Sequence, residues 1–209
     1  MKNIVYRMDN LEYMKTLPDN FYELSIVDPP YGSDSDATKT FTSNSKNKAS
    51  KRTEYKQFKN TEPTEEYWKE LFRISKNQII WGGNYFKLPC SRYFAIWDKG
   101  ETMYRRDFAE CEYAWIRSGG TRIFKYSPNQ LKRIHHTQKP VKLYKWLLKN
   151  YAKPGDKILD THFGSLSIGI ACHDYGYSLD AYEIDADYFE AGKKRLDVHR
   201  AQLQINYKP

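Results

Sequence analysis

The chain has 209 residues, of which 40% are hydrophobic and 16% aromatic, and its formal net charge is +8 at pH 7. That apolar content excludes a chain that is disordered throughout, because burying these side chains offsets the conformational entropy lost on folding. No apolar run approaches the roughly 20 residues that span a bilayer. The first ten residues include Lys2, Arg7 and Asp9, which do not fit the apolar core of a signal peptide. We therefore expect one intracellular domain over residues 1–209, with no membrane partner.

Cysteine and histidine usage argues against disulfides and against a metal site. Cys90, Cys111 and Cys172 are far apart and odd in number, which is typical of reduced thiols rather than of a disulfide framework. The five histidines show no HxxxH spacing and no accompanying CxxC. The sequence therefore predicts no metal.

The excess of positive charge is concentrated in residues 37–60. This Ser/Thr/Asn-rich stretch holds seven Lys or Arg residues and the single acid Glu54. Such a segment is most often a solvated loop. The alternative is a mobile basic arm that attracts phosphates. Its nucleic-acid-binding candidates are Lys46, Lys48, Lys51 and Arg52.

Strands and helices alternate along the rest of the chain. The patterns predict strands at 4–8, 24–27, 78–81, 93–97, 112–116, 157–159 and 178–183. They predict helices at 10–17, 64–75, 141–151, 166–175 and 187–203. This order indicates an α/β fold with a mostly parallel, seven-stranded sheet and helices on both faces. Ligands bind beyond the carboxyl ends of such strands, where the sequence places Asp9, Asp28, Asp160 and Glu183.

The string Asp28-Pro29-Pro30-Tyr31 directly follows a predicted strand. A carboxylate there can accept a hydrogen bond from an amine, the prolines leave carbonyls free of sheet pairing, and the ring can stack on a flat base. Together these groups could hold an exocyclic amine and aim its lone pair at an electrophile. Taken alone, the string is more often an ordinary turn that ends a strand.

A second constellation lies in residues 157–165. A strand ends at Asp160, and Gly164 then allows a ligand to approach the backbone before a helix begins. About twenty residues later, Glu183 ends the next strand, where an acid can bind both hydroxyls of a ribose. An ordinary βαβ unit is the competing interpretation. The combination with Asp28-Pro29-Pro30-Tyr31 favours a nucleoside-containing cofactor beside an amine-binding motif.

With both motifs present, the chain resembles the DNA amino-methyltransferases, in particular their circularly permuted beta class, in which the catalytic motif precedes the cofactor motif. Asp28, Pro29, Pro30 and Tyr31 match the catalytic motif. The matching cofactor residues are Asp9, Asp28, Lys139, Asp160, Thr161, His162, Phe163, Gly164, Ser165 and Glu183. Among them, the resemblance assigns Asp9 to the cofactor adenine, Glu183 to the ribose, and Lys139, in Thr137-Gln138-Lys139-Pro140, to the methionine end.

The resemblance implies a Rossmann-like methyltransferase domain that acts on double-stranded DNA. It implies that S-adenosylmethionine donates a methyl group to the N6 amine of a flipped adenine, without a metal, leaving S-adenosylhomocysteine. Asp28 and the carbonyl of Pro29 would hold the amine, and Tyr31 would stack on the base. The segments 81–84 and 97–99 resemble the motifs that build the base pocket. The biological role remains open between a restriction–modification enzyme, a solitary enzyme and a phage-borne enzyme. Each of these roles places the protein in the cytoplasm of a bacterial or phage-infected cell.

Target recognition is expected in an insertion at 100–135. Its basic residues include Arg105, Arg106 and Arg122, of which most would contact phosphate and some could read guanine. The segment is short for this task. The enzyme could therefore recognise a small site, act as a homodimer, or use the 37–60 arm.

Alternative functions remain open at this point. A cytosine-N4 methyltransferase shares the fold, although Asp28, rather than a serine, before Pro-Pro-Tyr favours adenine. RNA or a protein amide could be the substrate instead. A catalytically impaired nucleic-acid-binding protein is a further alternative, because Leu166 replaces the second glycine of the family's cofactor loop and His162 replaces a commoner apolar aromatic. The leucine is expected to intrude on the cofactor or to shift the loop.

Overall fold

A computed structural model describes residues 3–32, 60–106, 109–128, 134 and 137–206. The described residues form eight strands, five α-helices and two short 3-10 helices, Gly83–Tyr85 and Glu101–Met103. The strands are β1 (Asn3–Tyr6), β2 (Tyr22–Val27), β3 (Ser75–Trp81), β4 (Tyr93–Asp98), β5 (Cys111–Ile116), β6 (Arg122–Lys125), β7 (Lys157–Asp160) and β8 (Ser178–Tyr182). The helices are α1 (Asn10–Lys15), α2 (Glu65–Ile74), α3 (Val141–Tyr151), α4 (Ser167–Tyr175) and α5 (Ala186–Asn206).

All eight strands form one sheet in the order β1-β8-β7-β2-β3-β5-β4-β6. Only β5 runs antiparallel to its neighbours, β3 and β4. The predicted α/β fold with a mostly parallel sheet is confirmed, but the predicted number of seven strands is wrong. The missed strand is β6, which pairs in parallel with β4 at the sheet edge. Arg122, Ile123 and Lys125 of this strand are exposed, so its sequence lacks the alternation of a half-buried strand.

Helices cover both faces of the sheet. Neighbouring residues of a strand point to opposite faces, so each strand contributes side chains to two separate clusters. Ile79 and Ile158 pack into the cluster that contains the buried side chains of α3, α4 and α5. Ile80 and Leu159, their neighbours in sequence, pack into the cluster that contains those of α1 and α2. The continuous apolar runs of these strands are therefore buried on both sides.

Helix α2 begins where the sequence predicts. The Thr64 hydroxyl accepts a hydrogen bond from the Tyr67 N–H at 3.2 Å, and two acidic residues follow in the first turn. Tyr67, Leu71 and Ile74 follow the helical repeat and are buried against the sheet. This packing also fixes Tyr67 near the carboxyl end of β7.

The carboxyl ends of β1, β8, β7, β2 and β3 share one edge because these five strands are parallel. From β2 the chain proceeds to β3 on one side, and from β7 it proceeds to β8 on the other. The gap between β2 and β7 is therefore the point at which the strand order reverses, where ligands bind in open α/β sheets. Asp28 follows β2, and Asp160 ends β7.

Within the described ranges, no helix combines the length and apolarity that crossing a membrane requires. Cys90 and Cys111 are exposed free thiols, and the thiol of Cys172 is free and buried in α4.

Candidate active site

The catalytic motif predicted from sequence forms a compact hydrogen-bonded unit after β2. Pro29 and Pro30 cannot donate to a sheet ladder, so the strand stops at Val27. The Tyr31 hydroxyl donates to Asp28 Oδ1 at 2.6 Å. Burial, with the nearby Asp28 carboxylate, raises the pKa of Tyr31 well above its usual value. The phenol therefore stays protonated and remains a donor to Asp28.

Lys139 lies between Asp28 and a second acid. Its Nζ is 2.5 Å from Asp28 Oδ2, 3.1 Å from Glu112 Oε2 and 3.4 Å from the Tyr31 hydroxyl. The side chain is only 3% exposed. Burial lowers the pKa of Lys139, but attraction to Asp28 and Glu112 outweighs this effect and leaves the pKa above its usual value. A charged ammonium is therefore maintained inside the site.

Glu112 connects Lys139 to a fourth charged residue. Glu112 Oε1 is 3.0 Å from Lys99 Nζ, and the side chains of Glu112 and Lys99 are largely buried. Burial raises the pKa of Glu112, but Lys139 and Lys99 outweigh it and lower the pKa below its usual value. The result is an alternating series of charges, Lys99–Glu112–Lys139–Asp28, which we call the charge chain. Sequence patterns missed Glu112 because a single acid in a strand carries no motif.

An aromatic wall stands beside Asp28. The rings of Tyr31 and Tyr85 are stacked, with centroids 4.9 Å apart, and Phe86 meets Tyr31 edge-on at 6.0 Å. Gly82 has φ of +66°, and a Cβ at this position would collide with the Tyr31 ring. The glycine after β3 therefore lets the backbone approach Tyr31 closely. This places part of the predicted 81–84 pocket motif against Tyr31.

The predicted cofactor loop joins Glu183 on the other side of the reversal point. The Gly164 N–H donates to Glu183 Oε2 at 3.1 Å, and the Asp185 N–H donates to Glu183 Oε1 at 2.9 Å. Burial raises the pKa of Glu183. Each carboxylate oxygen keeps a second lone pair, so Glu183 can still accept from two hydroxyls. The structure thus brings the predicted loop and the predicted ribose acid together.

The first strand also ends at this loop. The Asn10 side chain donates to the Thr161 carbonyl at 3.0 Å and lies 3.3 Å from His162 Nε2. Asp9 caps α1 by accepting from the Leu11 N–H at 2.8 Å. Burial lowers the pKa of His162 to about 4, partly opposed by nearby Asp9, so the imidazole is neutral near pH 7. Asp9 therefore lies beside the cofactor loop.

Two further residues brace the loop, and neither was identified from sequence. The Tyr67 hydroxyl lies 2.6 Å from Thr161 Oγ1. Arg195 Nη1 donates to the Ser165 carbonyl at 2.7 Å and to Ser167 Oγ at 2.9 Å. Their sequence signals are those of ordinary helix residues, since each meets the loop only through the tertiary fold.

Leu166 adopts a glycine-like backbone but buries its side chain in the core. Its φ is +54°, in the left-handed region, and the residue is fully buried. A Cβ on Gly169 would lie 2.7 Å from Leu166 Cγ, and one on Gly192 would lie 3.2 Å from Leu166 Cβ. The side chain therefore fills the space above two helical glycines, where α4 and α5 meet. It points into the core, contrary to the expected intrusion on the cofactor.

The predicted nucleic-acid residues occupy different places. Arg105 and Arg106 are exposed and follow β4 at the carboxyl edge of the sheet. Arg122 begins β6 near Tyr151, at the opposite edge. Lys46, Lys48, Lys51 and Arg52, with nearly all of the 37–60 arm, lie outside the described residues. The 100–135 segment contains β5 and β6, and its role in recognition stays a prediction.

In the part of the chain that the structure describes, no group of three or more His, Cys, Asp or Glu side chains could hold a metal ion.

Comparison with known proteins gives a family match over most of the chain. A family model described as DNA methylase matches residues 40–194. DNA adenine methyltransferase YhdJ of Escherichia coli (strain K12) is 38% identical over 64 residues, 31% of this chain. The aligned segment is 22% of the length of that relative.

Solved structures share the fold over nearly the whole chain. The M1.HpyAVI–SAM complex has a TM-score of 0.62 at 18% identity, covering 93% of this chain and 100% of that chain. PvuII DNA methyltransferase, described as cytosine-N4-specific, has a TM-score of 0.61 at 12% identity, covering 96% and 92% respectively.

Replacing Leu166 tests its packing role. Leu166→Gly should lower the free energy of unfolding by about 2–4 kcal/mol, because the cavity outweighs the roughly 1 kcal/mol of relieved backbone strain. Gly169→Ala should destabilise the parent, because its methyl group would collide with Leu166. The same substitution should destabilise the Leu166→Gly variant less, because the leucine is then absent. Urea unfolding of the four proteins measures both effects. Unchanged stability in Leu166→Gly, or additive effects, would contradict this packing.

Asp160 should make stability depend on pH. Burial, reinforced by Asp28 and Glu183, raises the pKa of Asp160 to about 8 despite the hydrogen bond from His162 N–H. In the unfolded chain this pKa is about 4, so the carboxyl contribution to stability is complete below pH 4 and is lost as the pH rises to about 8. Relative to Asp160→Asn, the parent should therefore lose stability over this range. Parallel Tm–pH curves for the two proteins would disprove the assignment.

Proposed function

Because the chain belongs to the DNA methylase family, we propose that it transfers a methyl group from S-adenosylmethionine to the N6 amine of adenine in double-stranded DNA. The observation that carries this proposal is the position of Asp28. Its carboxylate lies at the reversal point of the sheet, across from Asp160 and the Gly164–Glu183 contact. An amine acceptor and a cofactor loop therefore face the same crevice.

The cofactor side suits a nucleoside that carries positive charge. Glu183 offers two oxygens to ribose hydroxyls, and Gly164 has no side chain to obstruct a ligand. Burial raises the pKa of Asp160 to about 8, and a cationic ligand bound beside this carboxyl group would favour its ionised form. When bound, S-adenosylmethionine supplies an electrophilic methyl group on a positively charged sulfur.

Asp28 holds and orients the target amine. Each of its oxygens accepts one protein hydrogen bond, from Tyr31 and from Lys139, and each keeps a lone pair for an incoming N–H. An amine that donates to Asp28 directs its own lone pair elsewhere, towards the cofactor side of the crevice. The nitrogen would gain positive charge as its bond to the methyl group forms and the methyl–sulfur bond breaks, and the Asp28 carboxylate would stabilise this charge. The amine proton leaves afterwards, so Asp28 need not be a strong base.

The aromatic wall provides the surface for the base. A flipped base is held by stacking as well as by hydrogen bonds to its edge. Tyr85 covers one face of the Tyr31 ring, so a base that stacks on this face must displace Tyr85. Arg105 and Arg106, exposed at the same edge of the sheet, would contact DNA phosphates, together with the 37–60 arm.

Cytosine-N4 methylation is the second candidate. The similar fold of a cytosine-N4-specific enzyme favours it, and Asp28 could accept either amine. Adenine is preferred because an aspartate precedes Pro29-Pro30-Tyr31 and because the relative from Escherichia coli is a DNA adenine methyltransferase. A non-enzymatic DNA-binding role is less favoured, because the side chain of Leu166 is buried in the core between α4 and α5.

Methyl transfer can be measured with isotopically labelled S-adenosylmethionine. Genomic DNA from a methylation-deficient strain serves as substrate, so that the recognition sequence need not be known, and the digested nucleosides are then separated. Label in N6-methyladenine would support the proposal, whereas label in N4-methylcytosine would replace it with the second candidate. Absence of label in DNA would overturn both.

Asp28→Ala should reduce methyl transfer by at least about 1,000-fold, because the amine loses its acceptor. Binding of S-adenosylmethionine, measured by calorimetry, should stay within about twofold, because the contacts that brace the cofactor loop do not involve Asp28. Asp28→Asn keeps the shape of the side chain and provides a second variant if the alanine variant misfolds. Asp197→Ala, on the exposed part of α5, is a control that should retain full activity. Lost cofactor binding in a folded Asp28 variant would contradict the assignment.

A further inference from the structure

The ammonium of Lys139 has no free donor for a ligand. An ammonium has three N–H groups, and Nζ of Lys139 has three acceptors within reach: Asp28, Glu112 and the Tyr31 hydroxyl. The ring of Trp81 lies 5.2 Å from the same nitrogen. Lys139 is therefore surrounded by protein groups. Direct binding to the methionine end of a cofactor would require it to release one of them.

We propose that Glu112 is a positioning residue for Asp28, acting through Lys139, and that Lys99 in turn holds Glu112. This inference rests on the proposed function, in which Asp28 holds the target amine. The charge chain thus extends the catalytic motif into the antiparallel part of the sheet, as far as β5 and the residue after β4.

Geometry supports this role because a lysine with one partner is poorly fixed. The side chain has a flexible four-carbon stem, so Asp28 alone would not determine where Nζ lies. Glu112 belongs to β5, opposite Trp97 of β4, and Lys99 follows that strand by one residue. The sheet therefore fixes Glu112, Glu112 fixes the ammonium, and the ammonium fixes Asp28 Oδ2. Tyr31 fixes the other oxygen, so the orientation of the carboxylate is fully determined.

Charge balance gives Glu112 a second effect on the reaction. Two cations and two anions make the charge chain neutral, although Lys139 lies close to the amine-binding carboxylate. An amine that accepts a methyl group becomes positive, and an uncompensated ammonium nearby would oppose this change. Loss of Glu112 leaves an excess of one positive charge. Loss of both Glu112 and Lys99 restores neutrality, so the double change should be less harmful than the single one.

Kinetics of isosteric variants separate this role from a structural one. Glu112→Gln should lower kcat by about 10- to 100-fold, the range seen when a residue orients a functional group through another. The KM for DNA and the Kd for S-adenosylmethionine should stay within about twofold. Adding Lys99→Gln should recover several-fold of the lost kcat, which a structural defect would not do. The control pair is Glu23→Gln with Lys76→Gln, an exposed ion pair of 3.1 Å at the amino ends of β2 and β3, which should leave kcat unchanged.

A second measurement needs neither cofactor nor DNA. In protein labelled with ¹⁵N-lysine, the protected ammonium of Lys139 should give its own NMR signal, assigned by its loss in Lys139→Met. Glu112 is one of two anions that raise the pKa of Lys139, so Glu112→Gln should make the signal titrate at lower pH. Glu23→Gln should leave the titration unchanged.

The outcomes distinguish this inference from the proposed function. If the parent transfers no methyl group to DNA, the proposed function fails, while the lysine titration still tests the link between Glu112 and Lys139. If the parent is active and Glu112→Gln keeps both its kcat and its lysine titration, the positioning role is overturned. A weakened Kd for S-adenosylmethionine with unchanged kcat would also overturn it, because Glu112 and Lys139 would then serve the cofactor.

Discussion

The parallel direction of five adjacent strands is the constraint on which the candidate site depends. Because β1, β8, β7, β2 and β3 all run the same way, their carboxyl ends share one edge of the sheet. The chain leaves β2 and β7 in opposite directions, so no crossover closes the crevice between them. Asp28 and Asp160 come from distant parts of the sequence and lie at the same edge because β2 and β7 are adjacent and parallel.

Crowding carboxylates at a partly buried edge is unfavourable, and the structure offsets the cost in two ways. Glu183 and Asp160 accept from backbone N–H groups of Gly164, Asp185 and His162, which stabilise buried carboxyl groups without adding a charge. Asp28 is instead compensated by a buried cation, Lys139. Backbone donors thus serve the carboxyls of the proposed cofactor side, and full ion pairs serve the proposed amine side. The difference suits a site in which one carboxylate must keep its charge.

Sequence patterns predicted the features that depend on local rules. The end of β2 before Pro29, the cap of α2 at Thr64 and the bounds of α3 each follow from residues that are close in sequence. The predicted motif residues Asp28, Asp160 and Glu183 also meet, because strand ends in a parallel sheet must meet. The edge strand β6, Glu112, Tyr67 and Arg195 were missed because each acquires its role only through contacts with distant parts of the chain. The buried position of the Leu166 side chain was also missed, because it depends on Gly169 and Gly192, which lie on two different helices.

The predicted cofactor loop is held by residues of α1 and α5. Asn10, after the first strand, donates to the carbonyl of Thr161, and Arg195, in the last helix, donates to the carbonyl of Ser165. These side chains bind backbone carbonyls at two positions of the loop, so its backbone geometry depends on where α1 and α5 pack. Whether this chain order arose by circular permutation stays a prediction, but the parallel pairing of β1 with β8 places the start of α1 beside the loop.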